Sequence, residues 1–217
     1  TILSSSKREN IVGQKHLSIP LPAELYGQLR ANSKGLDLAN DSALVQLNQT
    51  AQQFAKHQWS AAPMGEHIQT NDAVAPQSII NPARHSDVVG YVQEATTEQV
   101  EQALNNAQAV QDIWARTAKD TRASYLLRAA DLMEARLEEL MVLLCRESGK
   151  TYANAIAEVR EAVDFLRYYA TQMIDLDANA EVEPLGTMLC ISPWNFPLAI
   201  FTGQVAAALV AGDTVIA

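Results

Sequence analysis

The fold is decided by the stretch GTMLCISPWNFP at residues 186–197 and by LAIFTGQVAAALVAGDTVIA, which follows at residues 198–217. Between residues 184 and 217 the only charged side chain is that of Asp213. The pattern predicts a strand at 187–191, a loop at 192–197, a helix at 198–211 that ends at Gly212, and a second strand at 214–217. The helix is too short to cross a bilayer, so no transmembrane segment is expected. Uncharged strands of this kind are typical of parallel sheets covered on both faces, and we therefore expect an α/β fold.

The loop at 192–197 holds the candidate chemistry. Its two prolines restrict the backbone and should fix the direction of Asn195. The carboxamide of an asparagine offers two N–H donors, which is what an oxyanion requires. Two structural alternatives stay open: Asn195 could cap the helix or hold a turn, and Trp194 could fill the core. The glycine-rich GxGxxG signature of a pyrophosphate cradle is absent from the sequence.

Upstream of this stretch, the hydrophobic pattern predicts helices and one hairpin. A helix from Asp41 to about residue 59 is expected, with Asp41 or Ser42 as its cap. A β-hairpin is expected at 73–95 around a turn at 81–86. Three amphipathic helices should follow, at about 97–114, 120–147 and 152–174, with Gly149 as the stop of the second. Their many acidic residues are interpreted as solvated faces rather than a binding surface.

The N-terminal 40 residues lack periodicity and read as an extended arm with scattered basic residues. We divide the chain into this arm at 1–40, a helix and linker at 41–72, and a third segment at 73–217. Because residue 1 is Thr rather than Met and the sequence stops on an apolar strand-like run, we expect a piece of a longer protein.

Composition excludes several functional classes. The chain of 217 residues has 16 basic and 25 acidic side chains, for a formal net charge of −9. General nucleic-acid binding needs a basic surface, so this segment is not expected to bind nucleic acid. Two cysteines are too few for a disulfide-stapled secreted domain, and no signal peptide is recognisable. A reducing cytoplasm is the expected compartment.

The residues at 186–197, with the AGDTVI run at 211–216, closely resemble the aldehyde dehydrogenase superfamily. The resemblance covers roughly residues 73–217 and implies the N-terminal part of that fold, including the first β-α-β unit of a Rossmann-like sheet. The segments 24–27, 30–38, 59–63 and 164–170 resemble the branch that oxidises L-glutamate γ-semialdehyde, that is, the 1-pyrroline-5-carboxylate dehydrogenases. In bacteria that branch includes bifunctional enzymes joined to a flavin-dependent proline dehydrogenase.

The resemblance implies a mechanism and a set of site residues. A cysteine thiolate attacks the aldehyde, the side chain matching Asn195 holds the oxyanion, NAD accepts the hydride, and a glutamate activates water. The implied contacts are on the nicotinamide side of the NAD cleft for Ile191, Ser192, Pro193 and Trp194, and on the substrate side for Phe196 and Glu161. FAD would belong only to the missing proline dehydrogenase module, and no metal site is implied.

The resemblance also marks what this chain lacks. The family's nucleophilic cysteine and catalytic glutamate match positions beyond residue 217, and Cys145 and Cys190 are expected to be packing residues. We therefore expect these residues alone to be inactive, to need the rest of the parent protein as a partner, and to self-associate through exposed strands. Two alternatives stay open: a non-catalytic helical interaction or vestigial domain, and an aldehyde dehydrogenase with another substrate.

Overall fold

The computed structural model describes residues 16–65, 68, 75–177 and 182–217. The secondary structure of these residues begins with a 3₁₀ turn at Pro22–Glu24. The α-helices are α1 Asp41–Gln53, α2 Thr97–Arg116, α3 Lys119–Ala135, α4 Leu137–Ser148, α5 Tyr152–Asp175 and α6 Ala199–Ala211. The strands are β1 Trp59–Ala61, β2 Gln77–Asn81, β3 Arg84–Val92, β4 Thr187–Leu189 and β5 Thr214–Ile216. The mixed α/β architecture confirms the predicted fold class.

The helices pack into two hydrophobic clusters that share α5. In the first cluster, α3, α5 and α6 bring together Leu126, Val163 and Val210, each at most 4% exposed. In the second, α1, α4 and α5 bury Leu47 and Met141. Helix α5 is therefore the central element against which the others are placed.

The long helix predicted at 120–147 is in fact two helices, so this prediction was wrong. Helix α3 ends at Ala135, and Arg136 adopts φ −104° and ψ 20° before α4 begins. The apolar stripe continues through the break, but its two halves face different partners: Leu126 packs in the first cluster and Leu144 in the second. The change of partner at Arg136 requires a change of helix direction.

The helix predicted at 41–59 is shorter and is capped by a different residue. Its N-cap is Asn40, whose side-chain oxygen accepts from the backbone N–H groups of Ser42 and Ala43. The helix ends at Gln53, and Trp59–Ala61 forms β1, which pairs in parallel with β3. Gly90 lies opposite Trp59, and a Cβ there would sit 2.2 Å from the Trp59 carbonyl oxygen. Only glycine permits this close approach of the two strands.

The hairpin predicted at 73–95 is present as antiparallel β2 and β3, with a turn shorter than expected at residues 82–83. Residues 73–74 lie outside the described part of the chain. Strand β1 of this chain covers the other edge of β3, so the order in the sheet is β1-β3-β2.

Near the C-terminus, β4 and β5 form a two-stranded parallel sheet that α6 connects. Cys190 extends the pairing, since its N–H donates to the Ile216 carbonyl at 2.8 Å. Helix α6 ends at Gly212, which has φ 104°. Two side chains of α2 hold this end: Trp114 donates to the Leu209 carbonyl and Gln111 to the Gly212 carbonyl. The predicted strand-loop-helix-strand order is confirmed, with strands of three residues each.

The arm packs on the helices through polar contacts. Ser33 is 1% exposed, and its backbone N–H and hydroxyl each donate to the Asp164 carboxylate of α5 at 2.7 Å. The Lys34 N–H donates to Glu134 of α3. The first 15 residues of the arm lie outside the described residues. Among the helices that the structure describes, none has the length and apolarity to span a membrane.

Candidate functional site

The candidate site is the loop that leaves β4 at its carboxyl end and enters α6. In open α/β sheets, ligands bind at the carboxyl ends of the strands. The loop contains a tight turn that is closed by the Phe196 N–H donating to the Pro193 carbonyl at 3.1 Å. Pro193 and Pro197 flank Trp194 and Asn195 within this turn. The predicted loop is thus present between β4 and α6, at the position where a ligand would be expected; its rigidity stays a prediction.

Asn195 lies at the exposed surface of the loop. Among the described residues, none hydrogen-bonds its carboxamide, so both N–H donors are available to a ligand. Asn195 is not the helix cap, because Leu198 occupies that position. The alternative that Trp194 fills the core is wrong, since this residue is 82% exposed. The role of Asn195 toward an oxyanion stays a prediction.

Two charged residues, the buried Glu158 and the half-buried Lys150, contact the loop. Glu158 of α5 is 1% exposed, and its Oε1 accepts from the Leu198 and Ala199 N–H groups at 2.8 and 3.3 Å. Its Oε2 lies 2.8 Å from the Nζ of Lys150. The same Nζ donates to the Asn195 backbone carbonyl at 2.7 Å and lies 4.8 Å from the centre of the Phe196 ring.

Glu158 replaces the cap that α6 lacks. Leu198 has no side-chain acceptor, and the first turn of α6 contains no acidic residue. A carboxylate at a helix N-terminus satisfies unpaired N–H groups and is favoured by the helix dipole. Neither Lys150 nor Glu158 was predicted as a site residue. The only local signal was Glu158 beside the apolar stripe residue Val159, at a position that proves fully buried.

The residues expected to contact NAD lie at the beginning of the same loop. Ile191 is 71% exposed and Trp194 is 82% exposed, with Ser192 and Pro193 between them. Large exposed apolar side chains at the end of a strand suit a planar aromatic ligand. The residues present therefore fit a nicotinamide cofactor. Phe196 is 39% exposed and lies on the Lys150 side of the loop.

Glu161 lies apart from this loop. It lines a cavity of about 440 Å³ together with Tyr26, Arg30 and Tyr168, between the arm and α5, and the loop at 191–197 is not part of that lining. Its substrate-side role remains a prediction that no contact with Asn195 supports.

Neither cysteine has the surroundings of a nucleophile. Cys145 is half-buried on α4, Cys190 is 8% exposed after β4, and burial raises the pKa of both thiols. A raised pKa disfavours the thiolate, which is the reactive form. Within the described residues, no group of three His, Cys, Asp or Glu side chains is arranged to hold a metal ion.

The geometry agrees with comparisons to known proteins. Residues 68–217 match the aldehyde dehydrogenase family, and the chain belongs to this family.

The similar proteins include bifunctional proteins named PutA and 1-pyrroline-5-carboxylate dehydrogenases. The bifunctional protein PutA of Escherichia coli K12 is 52% identical over 212 residues, which cover 98% of this chain and 16% of that protein. The 1-pyrroline-5-carboxylate dehydrogenase of Anoxybacillus flavithermus is 37% identical, over 82% of this chain and 36% of that protein. A structure of 1-pyrroline-5-carboxylate dehydrogenase from Thermus with bound NAD superposes with a TM-score of 0.78 at 30% identity, over 85% of this chain and 38% of that one. This chain thus spans only a part of its relatives.

Proposed function

We propose that these residues form part of an NAD-dependent dehydrogenase that oxidises L-glutamate γ-semialdehyde to L-glutamate, within a bifunctional protein that also contains a flavin-dependent proline dehydrogenase. The observation that carries the proposal is the exposed, unpartnered carboxamide of Asn195 on a supported loop at the carboxyl end of β4. The similarity to PutA and to 1-pyrroline-5-carboxylate dehydrogenases supports the substrate assignment.

In the proposed reaction, thiolate attack on the aldehyde carbon moves an electron pair onto the carbonyl oxygen. The Asn195 N–H groups would stabilise that oxyanion, because they are exposed and have no hydrogen-bond partner among the described residues. The thiolate must come from another part of the parent protein, because Cys145 and Cys190 are packed and have raised pKa values. When bound, NAD would supply the acceptor for the hydride that leaves the aldehyde carbon, and a thioester remains. Water then attacks the thioester carbon, the C–S bond breaks, and the acid and the thiol are released.

The remaining residues divide by position. Ile191, Ser192, Pro193 and Trp194 would hold the nicotinamide side of NAD, while Phe196 and Glu161 would contact the substrate side. We assign residues 1–40 to the connection between modules, 41–72 to the entry helix and linker, and 73–217 to an incomplete NAD-binding domain. FAD belongs to the proline dehydrogenase module.

The test uses Asn195→Ala in the complete product of the gene that encodes these residues. We expect kcat for glutamate semialdehyde, measured by NADH absorbance, to fall about 10²–10³-fold, the usual effect of removing one oxyanion donor. Asn105→Ala, at an exposed position on α2, is the matched control and should leave kcat unchanged. Wild-type rates in the Asn195 variant would overturn the oxyanion role, and faster oxidation of simple aldehydes than of the semialdehyde would overturn the substrate assignment.

A further inference from the structure

We propose that Lys150 and Glu158 are positioning residues that set the direction of the Asn195 carboxamide. The inference rests on the proposed function, because it assigns them an effect through Asn195 and no contact with the substrate.

Lys150 contacts both Glu158 and the loop. Its ammonium group lies within 2.8 Å of two oxygens on different segments, Oε2 of Glu158 and the backbone oxygen of Asn195. The Lys150 side chain is 12% exposed and that of Glu158 is 1% exposed, so water competes little for the ion pair. A cation bound to the carbonyl of Asn195 itself restrains the peptide from which the carboxamide extends.

Glu158 contacts both the start of α6 and Lys150. Its carboxylate binds the Leu198 and Ala199 N–H groups, which follow the loop, and it binds Lys150, which holds the middle of the loop. One buried carboxylate thus links both anchor points of the loop to α5. Proline restricts the internal shape of the loop, whereas this ion pair fixes its orientation relative to the helices.

Loss of the ion pair between Lys150 and Glu158 should affect the reaction rate. Neutralising one partner of a buried pair leaves the other charge unpaired, so the carboxylate and the ammonium group should act as a unit. A shift of about 1 Å in a group that binds the transition state costs up to roughly 10²-fold in rate. Misplacement of Asn195 should lower kcat more than substrate affinity, because the oxyanion forms only during reaction.

The experiment is a double-mutant cycle in the complete gene product. We expect Lys150→Met to lower kcat between about tenfold and a hundredfold, with the KM for the semialdehyde and the NAD Kd changed less than about threefold. Lys150→Arg, which keeps the charge, should recover part of kcat. Lys150→Met combined with Asn195→Ala should be no slower than Asn195→Ala alone, because the lysine acts through the asparagine.

Four outcomes decide the proposal. Additive losses in the double variant, or a lowered melting temperature with unchanged kcat, would overturn the positioning role. If Asn195→Ala itself keeps the wild-type rate, the oxyanion proposal fails first, and the cycle identifies that case. Glu158→Gln is the second variant in case Lys150→Met does not fold: we expect faster hydrogen exchange at the Leu198 and Ala199 amides, and unchanged exchange would contradict the proposal.

Discussion

At the scale of single residues, the two thiols show how burial decides reactivity. Cys190 follows β4 directly and lies five residues before Asn195 in sequence, yet it is 8% exposed and its N–H is tied to β5. Cys145 points into the second hydrophobic cluster. Their pKa values are raised by burial, so at neutral pH both thiols stay protonated.

We therefore predict that the 217-residue chain does not reduce NAD with glutamate semialdehyde. Both thiols of the folded chain should react with an aromatic disulfide reagent at least about tenfold more slowly than in denaturant, because the thiolate fraction and access are both low. Absorbance of the released thiol checks this prediction, with free cysteine at the same pH as the control. Rapid reaction of either folded thiol, or NADH formation by the isolated chain, would contradict it.

The candidate site was only partly predictable from sequence. Asn195 could be identified because the prolines, the strand and the helix around it are local signals. Lys150 and Glu158 could not, because their contacts join residues 45 and 40 positions apart. From sequence alone, an acid beside an apolar stripe cannot be distinguished from a solvated acid. Its burial depends on the N-terminus of a helix that is distant in sequence.

At the scale of elements, Arg146 connects three segments that are distant in sequence. Its guanidinium donates to the Asp87 carboxylate of β3 and to the Phe54 and His57 carbonyls after α1, and its side chain is 9% exposed. The hydrogen bonds from Arg146 are the main cause of the lowered pKa of Asp87, whose ordinary value is 3.8. This one residue therefore holds the three-stranded sheet against α4.

Arg146→Met should destabilise the chain by about 3 kcal/mol, because it leaves a carboxylate and two carbonyls without their donor. Arg116→Met is the control: its pair with Asp112 is exposed, and its loss should cost less than about 0.5 kcal/mol. Urea unfolding followed by circular dichroism measures both changes. A group with a lowered pKa stabilises above its unfolded value and loses that effect as the pH falls, so the gap between wild type and Arg146→Met should narrow below about pH 4. Equal destabilisation by the two variants would show that the Arg146 contacts contribute nothing special.

The elements themselves were predictable to the extent that their signals are local. The cap of α2 could be identified because Thr96 and Gln99 form a reciprocal capping box within four residues. The break at Arg136 could not, because the apolar stripe runs through it without interruption. Strand β1 has three residues and depends on a parallel partner 31 positions away. The sequence feature that points to this pairing is Gly90, since a side chain there would clash with Trp59.

At the scale of the whole molecule, the small C-terminal sheet is one of the places where large apolar side chains are exposed. Four large side chains there are at least 67% exposed, namely those of Leu185, Leu189, Ile191 and Trp194. A two-stranded sheet is marginal in water, and parallel strands are normally covered on both faces. Leu185 and Leu189 therefore suit burial against further polypeptide, whereas Ile191 and Trp194 belong to the loop that we propose to hold NAD.

We predict that the 217-residue chain self-associates at micromolar concentration through this sheet, because exposed apolar side chains and open strand edges favour pairing with another copy. Leu185→Lys combined with Leu189→Lys should shift the chain toward monomer, since charged side chains at these positions oppose burial of this surface. Val45→Lys combined with Leu132→Lys is the control, because those residues are 58% and 57% exposed on α1 and α3, away from the sheet. Sedimentation velocity over a concentration series measures association, and circular dichroism verifies that each variant keeps its helices. A wild-type chain that stays monomeric and melts in one sharp, reversible transition would contradict the prediction, as would equal dissociation by the control pair.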